Sequence, residues 1–250
     1  MNIKKAVGLV FIFLIAMYFL LTNFKKSPEN VVDILDSTEE TISKTTDFVD
    51  IDVTYPTSTS LSGEAGIRAK ESIKKFIVDR TDAFLNMVYT EMLTEQEKAR
   101  LLESNRKYAM GIDYNAYTST KYISYVFNIY EDTGGAHPNS YYATLNFNKN
   151  GEKVELADLF KNDARYLDRL SDLSYNFITK EATKRFESTL DDDQIDWIRM
   201  GTAPTPETLQ FYYVNGENLV LIFPPYQVSA YAAGTFEAKI PLSKISDILK

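Results

Sequence analysis

An unbroken apolar run from Ala6 to Leu21, continued by Thr22-Asn23-Phe24 and bracketed by Lys4-Lys5 and Lys25-Lys26, opens the hydropathy pattern. Counted to Phe24, it approaches the roughly 20 residues that a helix needs to cross a bilayer core. A cleaved secretory signal has an apolar region of only about 7–15 residues and ends in a small-x-small site. Here the run ends in Tyr18-Phe19-Leu20-Leu21, with no such site and no cysteine for lipid attachment. The pattern predicts an uncleaved signal anchor at 1–26, with one transmembrane helix over 6–24. Five residues ahead of the span leave no room to fold, so the working part is expected after it. That places a single-pass protein in the plasma (inner) membrane, its C-terminal domain extracellular or periplasmic.

Residues 27–46 are polar and acidic and read as a tether, with a short amphipathic helix at 30–42 as the alternative. Val49, Ile51, Val53 and Tyr55 then alternate with Asp50, Asp52 and Thr54, the period of a strand with one buried face. From Glu64 to Val88, apolar positions Ile67, Ile73, Phe76, Ile77, Phe84, Leu85 and Val88 recur at helical spacing. Thr94-Glu95-Gln96-Glu97 reads as a capping box opening a shorter helix. Strands are expected at 108–117, 121–130 and 140–147, with a turn at Asn148-Lys149-Asn150-Gly151. A helix follows over 163–186, and a short one at 194–200 capped by Asp193 carries Trp197. Strands at 209–214 and 219–223 joined by Asn215-Gly216, a strand at 236–240 and a closing helix at 242–249 complete the series. These elements predict an α+β domain over 47–250, an antiparallel sheet with helices packed on one face. A division into two packed halves near Lys149 is the alternative.

Composition narrows the chemistry. Without the four lysines of the first 26 residues, 23 of the 27 basic residues remain against 35 acidic ones, a formal charge of −12 for residues 27–250. So acidic a surface disfavours nucleic acid and favours a basic partner. With no cysteine and one histidine, disulfides are excluded and a zinc site of the usual kind nearly so. No metal or cofactor is expected.

Two clusters stand out. Gly134-Gly135-Ala136-His137-Pro138-Asn139 presents the lone histidine on a bend, as a ligand contact, a general base or a plain hairpin residue. Phe223-Pro224-Pro225-Tyr226, followed by Ala230-Tyr231-Ala232-Ala233-Gly234, stiffens the exit from a strand and can hold Tyr226 and Tyr231 on a rigid loop. Those tyrosines either form a binding surface or pack beneath the loop. Ser72-Ile73-Lys74-Lys75 and Ser104-Asn105-Arg106-Lys107 fit Ser-x-x-Lys, but no companion motif accompanies either. Asp191-Asp192-Asp193 with Asp196 lacks the glycine and glutamate of a calcium loop.

Gly134-Gly135-Ala136-His137-Pro138, Asp158-Leu159-Phe160, and Leu219–Phe223 running into Pro225-Tyr226 and Ala230–Gly234 resemble the extracellular domain of RsiV-type anti-sigma factors. They are also similar to a domain of unknown function that precedes some peptidoglycan deacetylases. The resemblance covers about residues 47–250. It implies an α+β fold outside the membrane and binding of lysozyme. The five residues before the apolar run are too few for a sigma-factor-binding segment, so binding rather than signalling is expected to carry over.

The expectation is a bacterial cell-envelope binding domain, not an enzyme, that recognises a lysozyme-like basic protein or a peptidoglycan sugar. Its contacts would come from Gly134, Gly135, His137, Pro138, Asn139, Pro225, Tyr226 and Tyr231. A wall hydrolase with His137 as general base is the rival reading, and an assembly subunit using Trp197 or the acidic tether is a third.

Overall fold

The computed structural model describes residues 38–135, 137–162 and 165–250. The predicted span at 6–24 and most of the predicted tether lie outside them. Among the described residues no helix is long and apolar enough to cross a membrane.

Two sheets organise the described residues. The first contains β1 (Glu39–Thr45), β2 (Val49–Pro56), β3 (Tyr108–Thr118), β4 (Tyr122–Asp132) and β5 (Asn139–Asn148), in sequence order across the sheet. The second contains β6 (Tyr212–Asn215), β7 (Asn218–Phe223) and β8 (Phe236–Pro241). Among the described residues four α-helices accompany them: α1 (Gly63–Met87), α2 (Glu95–Ser104), α3 (Tyr166–Phe186) and α4 (Asp192–Gly201).

The α+β class holds, but the larger sheet is mixed, not antiparallel. β2 runs parallel to β3, with Val49 opposite Tyr108 and Val53 opposite Ile112, because α1 and α2 form a crossover between them. All other strand pairs are antiparallel. Residues 39–45, read as tether, are instead strand β1 paired with β2. Hydrophobic alternation is absent there because both faces of β1 are largely exposed.

The helices do not share one face of one sheet. Ile123, Tyr125, Phe127 and Ile129 of β4 point to a core completed by Ala69, Ile73, Ile77 and Phe84 of α1. Phe76 meets Phe127 with ring centroids 5.1 Å apart. On the opposite face of β4, Val126 packs with Tyr213, Val220 and Ile222 of the small sheet. The small sheet's other face, with Tyr212, Val214, Leu221 and Phe223, joins Leu170, Ile178 and Ala182 of α3 and Ile198 of α4. The layers therefore run helix, sheet, sheet, helix. Five successive residues of β4, Ile123–Phe127, are buried, as a strand covered on both sides requires.

Two buried polar side chains join the sheets. β6 is an edge strand, and its outward backbone groups would be orphaned against the large sheet. Ser124 Oγ accepts from Val214 N at 3.0 Å. Asn146 Nδ2 donates to the Tyr212 carbonyl at 3.1 Å. Beside them Tyr117 stacks on Tyr213 at 4.0 Å.

Several local expectations are refined. Thr94 caps α2 by accepting from Glu97 N at 3.2 Å. The Glu97 carboxylate does not close the box; it binds Arg100 Nη2 at 2.6 Å and accepts from the Tyr108 hydroxyl. Asp191, not Asp193, caps α4, exchanging bonds of 2.8 and 3.0 Å with Gln194. Ile67 is exposed on α1. Instead of a closing helix, a single turn at Leu242–Lys244 leads to a chain end that pairs with 159–161 through Lys161 N to Ile248 O and Lys250 N to Leu159 O. Gly151 has φ +72° as the turn demands, and a Cβ there would also lie 2.0 Å from the Ala65 carbonyl of α1.

Two outcomes follow from these contacts. Ser124→Ala strands the buried Val214 N–H, so the urea midpoint should fall by an equivalent of about 1–3 kcal/mol at unchanged m-value. A loss under about 0.5 kcal/mol would show that the sheets do not rely on this bond. Arg100, and then Tyr108, hold the Glu97 carboxyl down to about 2. A depressed carboxylate contributes stability above its ordinary value of 4.5, and that contribution disappears as pH falls toward about 2. Glu97→Gln should therefore flatten the pH dependence of stability across that window. An acid limb identical to wild type would contradict the assignment.

Candidate functional site

The two clusters singled out in the sequence meet at one end of the sheet pair. His137 belongs to the β4–β5 turn of the large sheet, and Tyr226 and Tyr231 to the β7–β8 connection of the small one. The His137 and Tyr231 rings stack with centroids 5.6 Å apart and planes 29° from parallel. Tyr231 in turn lies 5.4 Å from Tyr226. The result is a slipped row of three rings, in which Tyr226 is 55% and Tyr231 45% exposed.

Each ring is carried by a tight backbone turn. Gln227 N bonds back to the Pro224 carbonyl at 3.1 Å. Pro225 occupies the second turn position and Tyr226 the third, with φ +71°. That is the geometry of a type II turn, where glycine is the usual third residue. A tyrosine there is strained, and the surroundings must hold it. Trp197 Nε1 donates to the Tyr226 carbonyl at 3.0 Å. Gln227 Nε2 bonds to the Gly201 and Thr208 carbonyls at 2.8 and 2.7 Å. Gly201 admits this contact because any Cβ there would sit 2.0 Å from the Gln227 carbonyl.

The Tyr231 turn is pinned from the other side. Arg185 Nη1 donates to the Ala233 and Thr235 carbonyls at 2.6 and 3.0 Å, while its guanidinium lies 3.8 Å over Phe236. Tyr142 of β5 reaches Thr235 Oγ1 at 3.0 Å, tying the loop to the large sheet. Burial, helped by the nearby Glu237 and opposed by this bond, pushes the Tyr142 phenol up.

The His137 turn has its own braces. Gly134, at φ +81°, gives its N–H to Asp132 Oδ1 at 2.8 Å, and Asp132 pairs with Arg106 at 3.5 Å. Close by, Tyr141 donates to Glu131 at 2.5 Å and accepts from Arg80 Nε at 2.9 Å, binding the hairpin to α1. Burial, then Glu131, raises the Tyr141 phenol to about 12.

Of the residues anticipated from sequence, His137, Tyr226 and Tyr231 come together. Gly134, Gly135, Pro138 and Pro225 shape the turns that carry them, with His137 Nδ1 3.0 Å from the Pro138 carbonyl. Asn139 opens β5 opposite Glu131. The supporting residues Gln227, Arg185 and Gly201 were not anticipated, since their bonds span 19 to 50 residues of sequence. Trp197 was expected only as the single tryptophan and as a contact for an assembly partner, not as a brace of the Tyr226 turn. Ser72 and Ser104 each donate to a carbonyl four residues earlier, at 2.9 and 2.8 Å. Among the described residues no group of three or more His, Cys, Asp or Glu side chains is placed to hold a metal.

Comparison with known proteins follows the division between the sheets. Residues 42–140 match a family described as deacetylase PdaC. Residues 157–243 match DUF3298, a family described as protein of unknown function. The peptidoglycan-N-acetylmuramic acid deacetylase PdaC of Bacillus subtilis is 29% identical over 149 residues, which are 59% of this chain and 30% of that protein. Two crystal structures share the fold. A DUF3298 family member from Bacteroides fragilis superposes with TM-score 0.60 at 20% identity, covering 86% of this chain and 93% of that one. One from Pseudomonas aeruginosa gives 0.52 at 15% identity, over 86% and 95%. The chain is thus similar to a peptidoglycan-N-acetylmuramic acid deacetylase over less than a third of that enzyme and to DUF3298 proteins over nearly their whole fold.

Proposed function

We propose that this chain is a cell-envelope binding domain that holds peptidoglycan glycan on the His137–Tyr231–Tyr226 ridge and leaves its bonds intact. The observation that carries this reading is the ridge itself. Two half-exposed tyrosines and a histidine, drawn from two sheets, sit on turns held by main-chain and side-chain hydrogen bonds before any ligand arrives. A pyranose ring presents a flat row of C–H groups that packs on aromatic faces, and a pre-ordered ridge loses little entropy in receiving it. The name of the Bacillus subtilis relative points to the same polymer. The apolar run at 6–24 fits anchorage in the plasma membrane with this domain outside, where the wall is found.

A basic, lysozyme-like protein is the second reading, favoured by the formal charge of −12 after residue 26 and by the likeness to RsiV-type domains. The two separate by salt. A charge-driven contact weakens as ionic strength rises, whereas stacking on neutral rings does not.

The test uses the full chain in detergent micelles, with emission of the single tryptophan, Trp197, as reporter beside the ridge. Muropeptides should shift that emission, and Tyr231→Ala should weaken binding about tenfold. Tyr226→Gly should also weaken binding while leaving thermal stability equal or higher, because glycine accepts the positive φ. Wild-type affinity in both variants, or turnover of the glycan abolished by His137→Ala in a folded protein, would reject the proposal.

A further inference from the structure

A cleft of about 400 Å³ adjoins the ridge. Its walls include Phe186, Gln194, Trp197, Val228, Ala230 and Ala232, and no lining residue carries a charge. Ala230 and Ala232 are the chain neighbours of Tyr231, so the cleft begins where that ring's backbone ends. Its volume falls at the small end of ligand pockets, about 300–1,000 Å³.

Resting on the ridge reading, we propose that this cleft is an acetamido subsite, so that the domain binds N-acetylated hexosamine chains and rejects their deacetylated forms. A sugar stacked on Tyr231 carries its ring substituents over the Ala230–Ala232 wall. The acetamido methyl meets alanine and indole carbons there. Gln194 is held by the bond between its Oε1 and Asp191 N at 3.0 Å, which leaves Nε2 as its donor toward the acetyl carbonyl. The Ser229 hydroxyl supplies a further polar contact.

Discrimination follows from desolvation. A protonated glucosamine amine placed in this uncharged cleft loses hydration with no carboxylate among the lining residues to replace it, whereas a neutral amide loses far less. The chain's overall charge of −8 acts in the opposite sense, drawing cationic sugars nonspecifically. At about 0.5 M salt the Debye length shrinks to about 4 Å, and only the local preference survives.

The deciding experiment titrates the full chain in micelles with the N-acetylglucosamine tetramer and the glucosamine tetramer, amines protonated, at about 0.15 M and about 0.5 M salt, read by Trp197 emission and calorimetry. The acetylated tetramer should bind roughly tenfold or more tightly at the higher salt. Ala230→Leu, which fills the cleft and spares Tyr231, should bring the two affinities together by weakening the acetylated ligand. Equal or tighter binding of the glucosamine tetramer at about 0.5 M salt, or a preference untouched by Ala230→Leu, overturns the subsite and leaves the ridge reading standing. Binding of neither tetramer overturns the ridge reading and the subsite with it.

Discussion

The face-to-face contact of the two sheets is the constraint on which the ridge depends. His137 hangs from a hairpin of the large sheet and both tyrosines from a loop of the small one, so no ridge exists unless the sheets hold a fixed register. Apolar packing of Val126, Val220 and Ile222 supplies attraction but little directional information. Register comes from Ser124 and Asn146, which meet the edge of β6 at particular backbone atoms. A shift by one residue would leave those groups unpaired in a dry interface, a cost larger than the net gain of the bonds themselves. Tyr142 and Thr235 repeat the same device beside the ridge.

Strand and helix periods in the sequence located nearly every element within a few residues, because those patterns are local. What they could not show was which faces oppose. The run Ile123-Ser124-Tyr125-Val126-Phe127 reads as a strand with dense apolar content, and only the second sheet on its far side explains why Ser124 is fully buried within it. Strand β1 was missed for the opposite reason, since a polar edge strand with both faces in water carries no hydrophobic period. The parallel pairing of β2 with β3 is likewise a property of the helical crossover, not of either strand's composition.

The candidate site was half legible for a similar reason. Glycine and proline at 134–138 and at 224–225 announce unusual backbone, and that drew attention to the residues they present. The braces are ordinary residues at ordinary places: a glutamine after a turn, an arginine at the end of α3, a glycine at the end of α4. Their importance is created by the approach of distant segments. Gly201 in particular reads as a helix stop, yet its lack of a side chain is what lets Gln227 dock.

Tyr226 argues most directly that the ridge faces a ligand and not a core. Its positive φ costs of order 1–3 kcal/mol relative to relaxed backbone. Packing does not repay that, since the side chain is more than half exposed. Glycine would satisfy the turn at lower cost, and the bonds from Trp197 and Gln227 reach only main-chain atoms or extend from a neighbouring side chain, so they would survive the exchange. The folded state by itself therefore gives no reason for an aromatic ring at this position. A reason appears only when something outside the chain lies against that ring, and the stacking of Tyr231 and His137 behind it extends the same aromatic surface.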